Sequence, residues 1–124
     1  MTFSKTAMIL GLALLAGCAT AETGLDGSYR LVSIDGRAVI ENPTLVIEGQ
    51  RLSGKGSCNS FSGENKAAWP ALDASPLATT RRACINDNGE TAYFRALDQA
   101  TSATLTEHGV DLTGPEHSLR FTRE

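Results

Sequence analysis

The sequence predicts an α+β protein, a small antiparallel β-meander or partial barrel with one packed α-helix. Short alternating or β-branched segments recur along the chain, and tight-turn residues such as Asp35-Gly36 and Gly49-Gln50 separate them. One segment with helical apolar spacing lies between two groups of such strands. Strands joined by short turns favour antiparallel pairing. At 124 residues and 41% hydrophobic content, the chain has room for one modest domain.

The first half of the chain is predicted to form regular strands followed by a less regular stretch. Alternating and β-branched residues place strands at residues 28–34, 44–48 and 51–54. Asp35-Gly36, after the first of them, is favoured in tight hairpin turns. Prolines interrupt residues 56–80, so one or two irregular strands are expected there, with Phe61 and Trp69 buried.

The second half is predicted to form one helix and three closing strands. Asp87-Asn88-Gly89-Glu90 resembles a capping box, in which Asp87 accepts from the N3 amide and Glu90 reaches back. Apolar residues at three- and four-residue spacing predict a helix from about Gly89 to Thr101 that packs on the sheet: Tyr93, Phe94, Leu97 and Ala100. The closing strands are expected at residues 104–106, 110–113 and 119–122.

The N-terminus has the features of an export signal. Lys5 precedes an uncharged, apolar run at residues 7–16, which is too short to span a bilayer. The run ends in Leu15-Ala16-Gly17-Cys18, which resembles the lipobox of bacterial lipoproteins. We therefore expect a lipoprotein signal peptide at residues 1–17, a lipidated N-terminus and tether at 18–26, and the domain at 27–124. The alternative is an ordinary signal peptide with an incidental Cys18.

Lipidation of Cys18 would attach the protein to a membrane through its N-terminal lipid. Ala19, rather than Asp, follows that cysteine, which resembles the pattern of outer-membrane sorting in Gram-negative bacteria. The expected location is the cell envelope, on the outer membrane and facing the periplasm.

The chain has 3 cysteines, and lipidation of Cys18 leaves an even pair, Cys58 and Cys84. Export places this pair in an oxidising compartment, where cysteines are usually paired. We predict a disulfide between them. The alternative is two buried thiols in one core.

The charge balance argues against nucleic acid as a ligand. Eleven Lys and Arg residues against 14 Asp and Glu give a net charge of −3, with no basic excess. Residues 49–55 fit half of a P-loop, but Gly56 stands where a metal-binding Ser or Thr is needed and no helix follows. A β-hairpin is the better interpretation, and no nucleotide is expected.

No catalytic or metal-binding constellation is evident in the sequence. Cys58 as a nucleophile would need a base, and the only histidines, His108 and His117, lie in predicted closing turns. The cysteines and histidines lack the short spacing that fixes two zinc ligands together. The remaining candidates for acid-base work are scattered over predicted turns and caps: Asp35, Asp73 and Asp87. We predict no metal, no cofactor and no catalytic residue.

Two blocks resemble a known family. Residues 43–54 lead into Cys58-Asn59-Ser60-Phe61-Ser62-Gly63, and Thr80-Arg81-Arg82-Ala83-Cys84 is followed by Glu90, Phe94 and Leu97. Both blocks are similar to those of META-domain (HslJ-like) proteins. The resemblance implies a small antiparallel β domain with one helix. Such domains are often carried on envelope lipoproteins, are linked in some members to heat shock or drug tolerance, and have no established catalytic residues.

This sequence departs from the family pattern at three positions. Tyr29 replaces a common Trp, Ser57 a Gly, and Arg82 a Met. None of these changes removes the paired cysteines.

The sequence therefore favours a non-enzymatic envelope lipoprotein that acts as a binding or maintenance module. Its candidate partner contacts are Asn59, Arg81 and Arg82, in segments expected to be exposed. The plainer interpretation of the two arginines is that they are solvated at a strand end. The partner would be an envelope protein or a small molecule. One alternative function is a small-molecule carrier with an apolar pocket, and an enzyme is the weakest alternative.

Overall fold

The structure, a computed structural model, describes residues 24–124. The predicted signal peptide and the lipidation site at Cys18 lie outside the described residues. The described elements, in chain order, are β1 (Gly27–Ile34), β2 (Arg37–Ala38), β3 (Thr44–Glu48), β4 (Arg51–Lys55), β5 (Ser60–Glu64), β6 (Ala78–Thr79), α1 (Glu90–Gln99), β7 (Ser102–Leu105), β8 (Gly109–Thr113) and β9 (Ser118–Arg123).

The strands form one antiparallel sheet that curves into a half-barrel. Their order is β6-β5-β4-β3-β1-β9-β8-β7, with β2 paired to β1 alone. β1 is central because it pairs with β3 on one side and with the last strand, β9, on the other. Of the two predicted forms, the protein adopts the partial barrel. It is mainly β, with a single short helix among the described residues.

Local sequence explains the turns that set the register of the sheet. Asp35 and Gly36 both have positive φ, 52° and 79°, as a two-residue hairpin between β1 and β2 requires. Gly49, at φ 60°, makes the turn of the β3–β4 hairpin. The strands that these turns connect also agree with the sequence. Those predicted at 28–34, 44–48 and 51–54 are confirmed to within one residue at either end.

The loops and turns of the sheet lie at its two opposite ends. One end, here called the helix end, holds residues 35–36, 56–59, 80–89 and 114–117. The opposite end, here called the N-terminal end, holds residues 24–26, 49–50, 65–70 and 106–108.

Helix α1 covers the concave face of the sheet and fills it with apolar side chains. Tyr93, Ala96 and Leu97 are buried. The Tyr93 ring centroid lies 5.7 Å from that of Phe61 and 6.2 Å from that of Phe121. Its hydroxyl donates to the Thr44 carbonyl at 2.8 Å, and its burial raises the pKa of the phenol well above its usual value. The core therefore lies between the helix and the sheet.

Two expectations about individual elements need correction. The helix begins at Glu90 and ends at Gln99, which makes it shorter than predicted, because Ala100 already has extended backbone angles. Phe61 is buried as predicted, whereas Trp69 is only partly buried. The indole of Trp69 lies at the surface of the N-terminal end, where its N–H donates to the Gly49 carbonyl at 2.8 Å.

Within residues 24–124, α1 is too short and too polar to cross a lipid bilayer.

Candidate functional site

A disulfide joins two segments at the helix end. Cys58 lies in the bend between β4 and β5, and Cys84 lies in the loop after β6. Their Cα atoms are 6.3 Å apart and the residues are 26 positions apart in sequence. The predicted pairing is thus present. It holds residues 80–88, here called the long loop, against the bend.

Asn59 connects the same two segments through hydrogen bonds. Its side-chain oxygen accepts from the Thr80 hydroxyl at 2.9 Å and from the Arg82 amide at 2.7 Å. Its side-chain nitrogen donates to the Arg82 carbonyl at 3.3 Å and to Glu90 Oε2 at 2.9 Å. Asn59 is buried, and both the oxygen and the nitrogen of its side-chain amide are hydrogen-bonded to other groups of the protein. The side chain therefore stabilises the fold and has no free group to offer a partner. The prediction that Asn59 contacts a partner therefore fails for its side chain.

Glu90 completes this network from the first turn of the helix. Its Oε1 accepts from the backbone amides of Cys58, at 2.9 Å, and Asn59, at 2.5 Å. Burial by itself raises the pKa of the Glu90 carboxyl, but the donors of Asn59 and Cys58 outweigh burial and bring the pKa below its ordinary value. A buried carboxylate is thus held by N–H groups, with no ion pair to it from any described residue.

These contacts overturn the predicted capping box. Glu90 does not reach back to the segment before the helix, and Asp87 accepts from the Thr91 amide at 3.1 Å and from the Thr91 hydroxyl at 2.7 Å. Gly89, at φ 84°, is the N-cap residue and has no side chain to accept a hydrogen bond. The left-handed backbone at Asn88 and Gly89 turns the chain into the helix instead.

Gly56 is required by the position of that carboxylate. A Cβ atom at residue 56 would lie 2.5 Å from Glu90 Oε1 and 2.6 Å from Glu90 Cγ. The glycines and lysine of the P-loop-like segment lie in the β3–β4 hairpin. Downstream of it, the amides of Cys58 and Asn59 are already occupied by the protein's own carboxylate. This arrangement favours the hairpin interpretation over a phosphate site.

The long loop is fixed at its base and exposed along its length. Arg81 and Arg82 are exposed, and neither side chain makes an ion pair within residues 24–124. Ile85 is 101% exposed, more than any other large apolar side chain of the described chain. The sequence could have drawn attention to Ile85, since it is the only large apolar residue between Arg81 and Asn88, but its exposure depends on the tertiary structure.

The two histidines lie in separate turns. His117 Nδ1 is 2.7 Å from Asp35 Oδ2, and the hydrogen bonds from His117 and from the Ser118 amide lower the pKa of that aspartate. His108 lies at the N-terminal end, 4.0 Å from Glu107. Residues 24–124 contain no group of three or more His, Cys, Asp or Glu side chains that could hold a metal ion.

The remaining predicted carboxylates have local partners. Asp87 bonds Thr91, and Asp73 lies 3.7 Å from Lys66. Asp35, Asp73 and Asp87 therefore contact separate partners and do not form a pair with one another.

Several clefts open on the surface of the described domain, among them one of about 570 Å³ along β3, β4 and β5, and two of them lie at opposite ends of the sheet. One of about 590 Å³ lies at the helix end and is lined by Ile40, Arg37, Asn88 and His117, among others. The other, of about 500 Å³, lies at the N-terminal end between Trp69 and Leu105. Both clefts are open to solvent. Neither extends into the concave interior of the sheet, which the side chains of α1 fill.

Comparisons with known proteins identify relatives by family and by fold. A family model described as the META domain matches residues 22–124. An NMR structure of a protein from Burkholderia xenovorans is similar, with a TM-score of 0.66 and 25% identity, covering 82% of this chain and 85% of that one. A second NMR structure has a TM-score of 0.62 and 26% identity, covering 80% and 90% respectively. A search of curated proteins found no match.

Proposed function

This chain belongs to the META domain family, and from that premise we propose that it is a non-enzymatic, lipid-anchored binding module of the bacterial cell envelope. Residues 1–17 direct export, and Cys18 carries the lipid that holds the domain at the outer membrane, facing the periplasm. The domain binds an envelope partner through its helix end and in that way supports the envelope under stress.

The observation that carries this proposal is the long loop. A disulfide and the bonds of Asn59 fix its base, yet Ile85 at its tip is fully exposed beside two unpaired arginines. A loop that is fixed at its base loses less entropy on binding than a loop that is free along its whole length. Arginine is enriched in interfaces, and an exposed apolar tip can be buried by a partner.

A second loop adjoins the first and enlarges the same surface. Asn88 donates from its side chain to Glu41 Oε1 at 2.9 Å, which links the two loops. Ile40, next to Glu41, is 70% exposed. We call the surface formed by Ile40, Arg81, Arg82 and Ile85 the loop surface. Glu41 and Asp87 are also exposed in these two loops, so the surface has no net positive charge. The guanidinium groups of Arg81 and Arg82 suit a partner that places an acidic group beside an apolar pocket.

The interior of the domain supports a surface-binding module better than the carrier alternative. A carrier needs an apolar cavity, but Tyr93, Leu97 and Phe121 occupy the concave side of the sheet. The enzyme alternative has little support, since the sulfur of Cys58 is held in a disulfide.

The proposal can be tested by site-specific crosslinking in cells. A photo-crosslinking amino acid is placed at position 85 of the full-length protein, and a second one at Glu64, which is exposed on β5. We expect a discrete adduct from position 85 and none from position 64. Replacing both Arg81 and Arg82 with Ala should remove the adduct.

A matched control separates contact from net charge. Arg51→Ala with Lys55→Ala also removes two positive charges, but from exposed positions on β4. This variant should keep the adduct. Equal loss in both double variants would show that only overall charge matters and would contradict the proposed surface.

Complementation of a deletion strain under envelope stress tests the role in the cell. The Arg81→Ala, Arg82→Ala variant should fail to restore survival, whereas His108→Ala with His117→Ala should restore it. Complete loss in a well-folded histidine variant, with turnover of a substrate by the purified protein, would support the enzyme alternative instead.

A further inference from the structure

The cleft at the N-terminal end has an apolar lining. It has a volume of about 500 Å³ and is lined by Leu25, Trp69, Pro70, Ser102, Ala103, Thr104 and Leu105, with no charged residue among them. Leu105 is 46% exposed although it is a large apolar side chain. An apolar surface of this kind can be buried against another apolar phase without desolvating a charge.

Trp69 lies in this cleft in a fixed position. Its indole N–H donates to the Gly49 carbonyl at 2.8 Å, and its ring is only partly buried. A tryptophan with its polar edge bonded and its ring partly exposed is suited to the boundary between water and lipid, where tryptophan is enriched.

The chain enters the domain beside the same cleft. Arg123 donates to the Gly24 carbonyl at 2.6 Å and to the Asp26 carbonyl at 3.2 Å, so this entry point is held in place. A Cβ atom at Gly24 would lie 3.2 Å from Leu105 Cδ1, which shows how close the entry is to the cleft.

The length of the connection restricts how far the domain can stand from a membrane. The peptide steps from Cys18 to Gly24 span at most roughly 22 Å when fully extended. A domain of this size has a radius of gyration of about 13 Å and is therefore about 34 Å across. Because the tether is shorter than the domain, a lipid on Cys18 brings the N-terminal end towards the bilayer and leaves the loop surface on the far side.

We propose that the cleft between Trp69 and Leu105 is a bilayer contact, in which the surface of the membrane that holds the Cys18 lipid covers these side chains. This inference rests on the proposed lipidation of Cys18. It adds a second point of attachment, which fixes the orientation of the domain. The loop surface is then presented to the periplasm at a constant height above the membrane.

The sequence provides its own probe, since Trp69 is the only tryptophan. Protein that is expressed from the full-length sequence and processed in the cell is reconstituted into vesicles of phosphatidylethanolamine and phosphatidylglycerol. The vesicles are made with or without acyl chains brominated near the headgroup. Bromine quenches tryptophan only at short range. We expect the Trp69 emission to shift to shorter wavelength on reconstitution and to lose intensity in the brominated vesicles.

Two variants serve as matched controls. Trp69→Phe with Ile85→Trp moves the single tryptophan to the loop surface, where its emission should be the same in both kinds of vesicle. Leu105→Ser leaves Trp69 in place and removes an apolar side chain that is half exposed, so its quenching should decrease. Circular dichroism checks that both variants are folded.

The outcomes distinguish the contact from the anchor. Protein that does not float with the vesicles would refute the lipid anchor, and the bilayer contact with it. Protein that floats while Trp69 is not quenched would refute the bilayer contact alone. A blue-shifted but unquenched Trp69 would mean that residues 19–23 of the same chain cover the cleft, which also overturns the inference. Equal quenching at positions 69 and 85 would contradict the orientation.

Discussion

Replacing Glu90 is predicted to destabilise the domain more than replacing any exposed carboxylate. In the Glu90→Ala variant, three N–H groups lose their acceptor: the backbone amides of Cys58 and Asn59 and the side-chain amide of Asn59. An unsatisfied buried donor costs about 1–2 kcal/mol, so with three such donors the free energy of unfolding should fall by about 3–6 kcal/mol. Such a loss is a large fraction of the stability of a small domain.

Glu90→Gln is the more conservative change and should cost less. The glutamine carbonyl can still accept from the two backbone amides, but its NH₂ group would face the side-chain nitrogen of Asn59, which is also a donor. We expect a loss of about 2 kcal/mol, since one bond and the negative charge are removed.

Denaturant unfolding at neutral pH, with the disulfide intact, measures both losses. The control is Glu64→Gln, which changes an exposed carboxylate on β5 and should alter stability by less than about 0.5 kcal/mol. A cost below about 1 kcal/mol for Glu90→Ala would refute the conclusion that this carboxylate holds the bend.

The pH dependence gives an independent check of the same contact. The pKa of Glu90 is lower in the folded protein than its ordinary value near 4.5. Its contribution to stability is therefore complete above that value and is lost as the pH falls through the folded pKa. The difference in stability between wild type and Glu90→Gln should shrink below pH 4.5. A difference that stays constant at acid pH would contradict the assignment.

Three further outcomes are expected. Replacing Cys58 and Cys84 with Ser should lower the free energy of unfolding by roughly 3.5 kcal/mol, because the closed loop restricts the unfolded chain; labelling of both cysteines in denatured, unreduced protein would show that the bond is absent. Gly56→Ala should lower the free energy of unfolding by about 2 kcal/mol because its Cβ displaces Glu90, and the same change should be nearly neutral in a Glu90→Ala background. Additive losses in this double-mutant cycle would contradict the contact. Cys18→Ser should abolish acylation, as measured by intact mass and membrane fractionation, and an unacylated native protein would refute the anchor.

Part of the site could be predicted from the sequence. The pairing of Cys58 with Cys84 followed from the predicted export signal and from the even number of cysteines that remains if Cys18 is lipidated. The exposure of Arg81 and Arg82 was expected because two adjacent arginines at a strand end are usually solvated, and both are exposed in the structure. The partner of Glu90 could not be found in this way. Its sequence neighbours suggested a cap, but the donors that it accepts from lie 31 and 32 residues away.

The sequence by itself indicated a small, mainly antiparallel β domain with one helix, the strands at 28–34, 44–48 and 51–54, and the turn at Asp35-Gly36. These features depend on neighbouring residues: alternation produces a one-faced strand, and Asp35-Gly36 tolerates the positive φ of a tight turn. Only the tertiary structure decided the strand order, the buried carboxylate network and the clefts. They depend on contacts between distant parts of the chain, such as the pairing of Tyr29 with Arg123, and no local pattern specifies which distant strand will supply the partner.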